Sequence, residues 1–150
     1  LVLRGEKPKA AREKALGYFA QFGLEGTQDQ YPAQLSGGMR QRAALLRTFL
    51  GSRGVVLLDE PFSALDALTK REIHRWYMGM MDQLQLTTLF ITHDIDEAIL
   101  LSDRIYILSG QPGQITAERT IQPPRPRGLE FALSGEFLDY KKNILSLLER

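Results

Sequence analysis

Three observations predict an α/β fold with parallel core strands, a helical portion ahead of them and a C-terminal helix. Two short continuous apolar runs, Val55-Val56-Leu57-Leu58 and Thr88-Leu89-Phe90-Ile91-Thr92, read as strands buried on both faces. The stretch between them carries a helical stripe and no hairpin signal, which implies a right-handed crossover and parallel strands. The first fifty residues, by contrast, read as helical.

Ala15/Leu16, Phe19 and Phe22 recur at helical spacing after a basic, Ala-rich start, and Gly23 or Gly26 is placed to end that helix. Tyr31-Pro32 breaks the chain, and Leu35-Ser36-Gly37-Gly38 follows as a tight loop of small residues. From Met39 to Leu50 a second helix puts Ala43, Leu46 and Leu50 on one face, and Gly51 and Gly54 stop it. After the first strand, Asp66 is a cap for a helix whose stripe is Ile73, Trp76, Tyr77, Met80 and Leu84. A short helix from Asp94 to Leu101 follows the second strand, and Ile105-Tyr106-Ile107-Leu108 is a third strand of the same kind. Residues Gln111 to Gly128 are rich in Gly, Pro and Arg, and Pro123 to Arg127 within them read as an extended linker; Glu136 to Arg150 read as an amphipathic helix packed back on the core, with a regulatory or partner-binding tail as the alternative.

Composition narrows the function classes. The 150 residues are 43% hydrophobic and 25% charged, which is ordinary globular composition for about one domain. Nineteen Lys+Arg against 18 Asp+Glu leave a net charge of +1, so no basic excess argues for a nucleic-acid partner. The absence of cysteine excludes a disulfide framework and any thiolate metal site, and fits a reducing compartment. Leu1-Val2-Leu3-Arg4-Gly5 has neither an initiator Met nor a signal-peptide pattern, and reads as cut from a longer polypeptide.

Three places carry candidate chemistry. Asp59-Glu60 directly follows the first strand, at the carboxyl end where open α/β sheets bind ligands. There an Asp can hold the water shell of Mg²⁺ and a Glu can polarise an attacking water. A solvated Asp-Glu-Pro turn is the alternative. Ser36-Gly37-Gly38 opens a helix, where unpaired N–H groups and the positive dipole end favour an anion, or where Ser36 simply caps. His93, beside Asp94 after the second strand, suits a phosphate contact or a packing role. His74, beside Arg75 and Trp76 on a helix, reads as structural.

Order and spacing say more than any one of these. Leu35-Ser36-Gly37-Gly38-Met39-Arg40-Gln41-Arg42, Val55 to Pro61, Ser63-Ala64-Leu65-Asp66 and Ile91-Thr92-His93-Asp94 together resemble the ATP-binding-cassette (ABC) ATPases over about residues 1–110. They correspond to the family's signature motif, Walker B strand, D-loop and switch histidine. Met39 stands where Gln is commonest, but the Ser and Gly positions are intact. The resemblance implies a partial P-loop NTPase-like domain: part of a helical subdomain over 1–51, the C-terminal part of the ATPase core over 52–122, and a linker with its helix over 123–150.

By the same resemblance, Asp59 orients Mg²⁺ through water, Glu60 is the catalytic base, and His93 contacts the γ-phosphate. Ser36, Gly37 and Gly38 contact the γ-phosphate of ATP held mainly by a second ATP-binding subunit in a head-to-tail dimer. Ser63, Ala64, Leu65 and Asp66 line that dimer interface. Pro61 to Asp66, Asp96-Glu97-Ala98 and the Pro123–Arg127 tail are similar to the bacterial nitrate/sulfonate/taurine importer group. Implied partners are therefore transmembrane permease subunits and, indirectly, a solute-binding protein, with the chain peripheral on the cytoplasmic face of the plasma membrane.

No Gly-x-x-x-x-Gly-Lys-[Ser/Thr] string, the Walker A loop that cradles the β- and γ-phosphates, occurs in the 150 residues. The chain is thus expected to be inactive alone and to leave apolar surface or an open sheet edge. A DNA-repair or chromosome-organising ATPase predicts long heptads or zinc-binding cysteines, and the chain has neither. A non-catalytic dimerisation or regulatory module remains the alternative from a different class.

Overall fold

The computed structural model describes residues 1, 5–52, 54–84 and 86–149. Val2, Leu3, Arg4 and Arg150, which enter the readings of the two ends, lie outside them. The chain divides into two compact units, Leu1–Ile91 and Thr92–Arg150.

In the first unit, α1 (Pro8–Leu16) starts with Pro8 at its first helical position, where the missing N–H costs nothing. The helix is shorter than its periodicity suggests. Beyond Leu16 the Tyr18 and Phe19 amides donate to the carbonyls of Ala15 and Leu16, so the backbone tightens into successive turns. Gly23, at φ +61, then closes that coil. The aromatic spacing survives because these turns still point Phe22 inward, where it is fully buried against Phe49 and edge-on to Trp76.

A short 3₁₀ turn, Pro32–Gln34, leads into α2 (Gly37–Gly51), which packs on α3 (Ala67–Leu84). The predicted stripe of α3 is largely inward: Ile73, Tyr77 and Met80 are buried. His74 is buried too, edge-on to the Phe62 ring with centroids 4.8 Å apart.

Strands β1 (Val55–Asp59) and β2 (Thr87–Ile91) pair in parallel, with Val56 opposite Thr88 and Asp59 opposite Ile91. The crossover between them is α3, as the missing hairpin signal implied. Burial on both faces is not observed. Val56 is buried, whereas Val55, Leu57, Leu89 and Ile91 are 54–65% exposed on the other face. An uninterrupted apolar run cannot report how many of its faces are covered, because that depends on neighbours elsewhere in the polypeptide.

In the second unit, α4 (Ile95–Leu101) precedes β3 (Arg104–Ser109). The third strand is not a further parallel one. It forms an antiparallel hairpin with β4 (Gln114–Thr120), a strand in the Gly-, Pro- and Arg-rich stretch for which the sequence reading named none. Gly110, at φ +87, supplies the left-handed position that the connection needs. The mostly polar β4 lacked an apolar run to betray it. The short α5 (Leu129–Ala132) and then α6 (Gly135–Leu148) follow, and α6 packs on α4 and β3. Ile99, Ile107, Ile121, Phe137 and Ile144 form the core of this unit.

Candidate functional site

Asp59 and Glu60 stand exposed at the carboxyl end of β1. Pairing with β2 carries one residue beyond the strand, because the Glu60 N–H donates to the Ile91 carbonyl at 2.8 Å. Glu60 also has φ +42, the left-handed region that non-glycine residues seldom occupy. Such a conformation costs on the order of 1–3 kcal/mol and persists only where surrounding structure enforces it. The enforcing contacts are close by. The Ser63 amide and hydroxyl both donate to the Glu60 carbonyl, at 3.3 and 3.1 Å, and the adjoining Phe62 side chain is 1% exposed.

The turn ends on Asp66, whose carboxylate accepts the amides of Leu68 and Thr69 at 3.1 Å each and the Thr69 hydroxyl at 2.6 Å. It is therefore the cap of α3 that its sequence position suggested. The Thr69 hydroxyl, then the Thr69 amide, hold the Asp66 carboxyl below its ordinary value. Ser63 and Ala64 are exposed on the way, and Leu65 is half-buried.

Ser36 caps α2 by accepting the Met39 amide at 3.2 Å. Of the two glycines after it, Gly38 is buried, and a Cβ there would lie 3.4 Å from Thr69 Cγ2 and 3.7 Å from Ile73 Cδ1. A Cβ at Gly38 would therefore sit in ordinary contact with the start of α3. Gly37 faces open space.

One linking residue escaped the sequence reading. The Gln41 side-chain amide of α2 donates to the Pro61 carbonyl, at the start of the Glu60–Asp66 turn. The bond ties α2, the helix that Ser36 caps, to the segment that directly follows Glu60. Gln41 carried no signal beyond its place inside the motif.

His93 lies in the second unit, exposed, between Thr92 and Asp94. Asp94 caps α4 by accepting the amides of Asp96 and Glu97, at 3.0 and 3.2 Å. The Thr92 hydroxyl donates to Glu97 Oε2 at 2.7 Å and accepts the Asp94 amide at 3.0 Å.

Among the described residues no group of three or more His, Asp or Glu side chains gathers as a metal cage. The donor set that is present, one exposed Asp59 carboxylate beside Glu60, fits Mg²⁺, which takes one or two carboxylates and keeps waters or substrate oxygens in its other positions. No helix among the described residues is long and apolar enough to cross a membrane.

Residues 4–63 match the family described as ABC transporter. The chain is 44% identical over 150 residues to the formylaminopyrimidine import ATP-binding protein ThiZ of Halalkalibacterium halodurans, covering 99% of this chain and 60% of that one. It is 39% identical over 154 residues to the nitrate import ATP-binding protein NrtD of Synechocystis sp., covering 99% of this chain and 58% of that one. Among solved structures, the dimeric ABC transporter cassette MJ0796 superposes with a TM-score of 0.59 at 28% identity, over 83% of this chain and 51% of that one. The chain spans about 60% of the length of the two sequence relatives. Motif order, sequence relatives and α/β architecture agree in making the chain similar to the ATP-binding proteins of ABC transporters.

Proposed function

We propose that these residues form the base-bearing part of an ATP-hydrolysing subunit that drives a bacterial importer. The observation that carries this reading is the Asp59-Glu60 pair at the end of β1, with Glu60 held in a strained backbone conformation by the turn that follows. Strain of this kind concentrates at functional sites.

In this reading Glu60 accepts the proton of, and so polarises, the water that attacks the γ-phosphorus of ATP. Asp59 would hold Mg²⁺ through water, and the ion would supply positive charge to offset that on the phosphate oxygens. His93 hydrogen-bonds the γ-phosphate. Ser36 and the backbone amides at Gly37 and Gly38 face the γ-phosphate of a nucleotide bound chiefly by a second subunit, with Ser63 to Asp66 along the contact between the two. Such a dimer surrounds the transferring group with positioned charge from both sides, which is the main source of catalysis in phosphoryl transfer.

The phosphate cradle is not among these 150 residues, so hydrolysis requires polypeptide besides them. The helical portion over 1–51, the ATPase core over 52–122 and the tail over 123–150 are the divisions this reading assigns. Permease subunits anchor the protein at the cytoplasmic face of the membrane, and an external solute-binding protein delivers a small solute of the nitrate, sulfonate or taurine kind.

Calorimetric titration with MgATP tests this reading. The 150-residue chain should show no micromolar binding, whereas a form carrying the upstream half of a relative should bind and hydrolyse ATP. Glu60→Gln should then lower kcat by about 10²-fold or more, the contribution of a positioned general base. Hydrolysis insensitive to Glu60→Gln overturns the assignment. Failure to bind ATP in the extended form favours a regulatory module.

A further inference from the structure

The triplet Glu97, Thr92 and Asp94 forms a closed arrangement around His93 that the proposed chemistry leaves unused. Glu97 is 2% exposed although it carries a carboxylate, and a carboxylate withdrawn from water is costly unless hydrogen-bonded. Its Oε2 accepts the Thr92 hydroxyl at 2.7 Å. That hydroxyl oxygen in turn accepts the Asp94 amide at 3.0 Å, while the Asp94 carboxylate accepts the Glu97 amide at 3.2 Å. The residues immediately before and after His93 are therefore both bonded, directly or through one oxygen, to the first turn of α4.

We propose that Thr92 and Glu97 are positioning residues for His93: the buried Glu97 carboxylate clamps the Thr92 hydroxyl, and that bond holds the one-residue bridge on which the imidazole is presented. The first turn of α4 is the anchor. Asp96, also in that turn, is tied to Lys141 of α6 at 2.7 Å, so the anchor is braced against the second unit's C-terminal helix. A hydroxyl is needed at Thr92 and an acceptor at Glu97, but neither the threonine methyl nor the carboxylate charge is. The catalytic consequence rests on the function proposed above, whereas the positioning itself does not.

Two measurements separate these. In the 150-residue chain, the backbone order parameter of His93 should fall from about 0.85 to below about 0.6 in Thr92→Val. It should stay high in Thr92→Ser, which keeps the hydroxyl, and in Glu97→Gln, which keeps an acceptor. Thr92→Val is nearly isosteric, and an unchanged melting temperature confirms that the fold is intact. In the extended, hydrolysing form, Thr92→Val should lower kcat about tenfold or more with KM within about twofold, since misplacing a group costs rate rather than ground-state binding. Thr92→Ser should restore the rate.

An unchanged His93 order parameter in Thr92→Val overturns the proposal. So does an unchanged kcat in an enzyme that Glu60→Gln inactivates. If Glu60→Gln leaves hydrolysis intact, the functional reading fails, and the order parameters alone decide whether the clamp exists.

Discussion

Replacing Arg127 with Ala should markedly destabilise the second unit. Its side chain is 1% exposed although it carries a full charge. The guanidinium donates to five backbone carbonyls: Pro123 at 2.8 Å, Ser102 at 2.6 Å, Ile99 at 3.1 Å, Ile121 at 3.2 Å and Leu100 at 3.4 Å. Ile99 and Leu100 lie in the last turn of α4, where carbonyls have no partner within the helix. Arg127 therefore closes that helix end and fastens it to the exit of β4. Burial lowers the Arg127 pKa, and nearby Asp103 partly offsets this, but a guanidinium stays charged near neutrality.

The Ile99, Leu100 and Ser102 carbonyls share the two N–H groups of one nitrogen, so four N–H donors are engaged; at about 1 kcal/mol net per bond they give roughly 4 kcal/mol, and relief of the buried charge returns part of that. A loss of about 2–4 kcal/mol is the expected balance, a large share of the 5–15 kcal/mol typical of small domains. Lysine, with one compact ammonium, cannot span these acceptors, so Arg127→Lys should recover less than half. Arg125, paired with Asp103 at 3.1 Å but more open to solvent, is the control, with under about 1 kcal/mol expected from Arg125→Ala. Urea unfolding followed by amide hydrogen exchange in α4 and α6 reads the second unit without assuming that both units melt together. A change below about 0.5 kcal/mol in Arg127→Ala refutes the reasoning, since water would then be replacing the guanidinium at no cost.

Two further changes separate stability from chemistry. Glu60→Gly should raise stability by about 1 kcal/mol, measured by urea titration, because glycine occupies positive φ freely, even as the proposed base is lost. Asp66 caps α3 as a carboxylate, and its folded pKa lies below its ordinary value of 3.8. Its contribution is thus complete above that value and lost as pH falls through the lowered one. Carboxyl-carbon NMR of Asp66 should show the depressed midpoint, with the Thr69 amide resonance moving in step, and Thr69→Ala should bring the midpoint back up.

Legibility in the sequence tracked the range of the interactions involved. Ser36 and Asp66 cap helices through amides two or three residues ahead, so residue type and position sufficed to place them; Asp94, read as the first helical residue, proves to be a cap of the same kind. The parallel β1–α3–β2 crossover was legible for a similar reason, as apolar runs and helical stripes are properties of contiguous residues. The first helix was overextended because Phe19 and Phe22 keep helical spacing while the backbone has already turned at Gly17. Gln41 and Gly38 could not be understood within their motif, since one meets Pro61 and the other Thr69, each at least twenty residues away.

By itself, then, the amino-acid sequence determined the family likeness, the order of the motifs, the helix caps and the parallel pairing of the first two strands. Tertiary structure alone decided that one face of β1 and β2 stays exposed, that β3 turns back on β4, that Glu60 sits at positive φ, and that Arg127 closes α4. The division has a physical cause: caps and periodicities are satisfied by atoms a few residues apart, whereas burial, strain and buried charge are set by partners that only folding brings near.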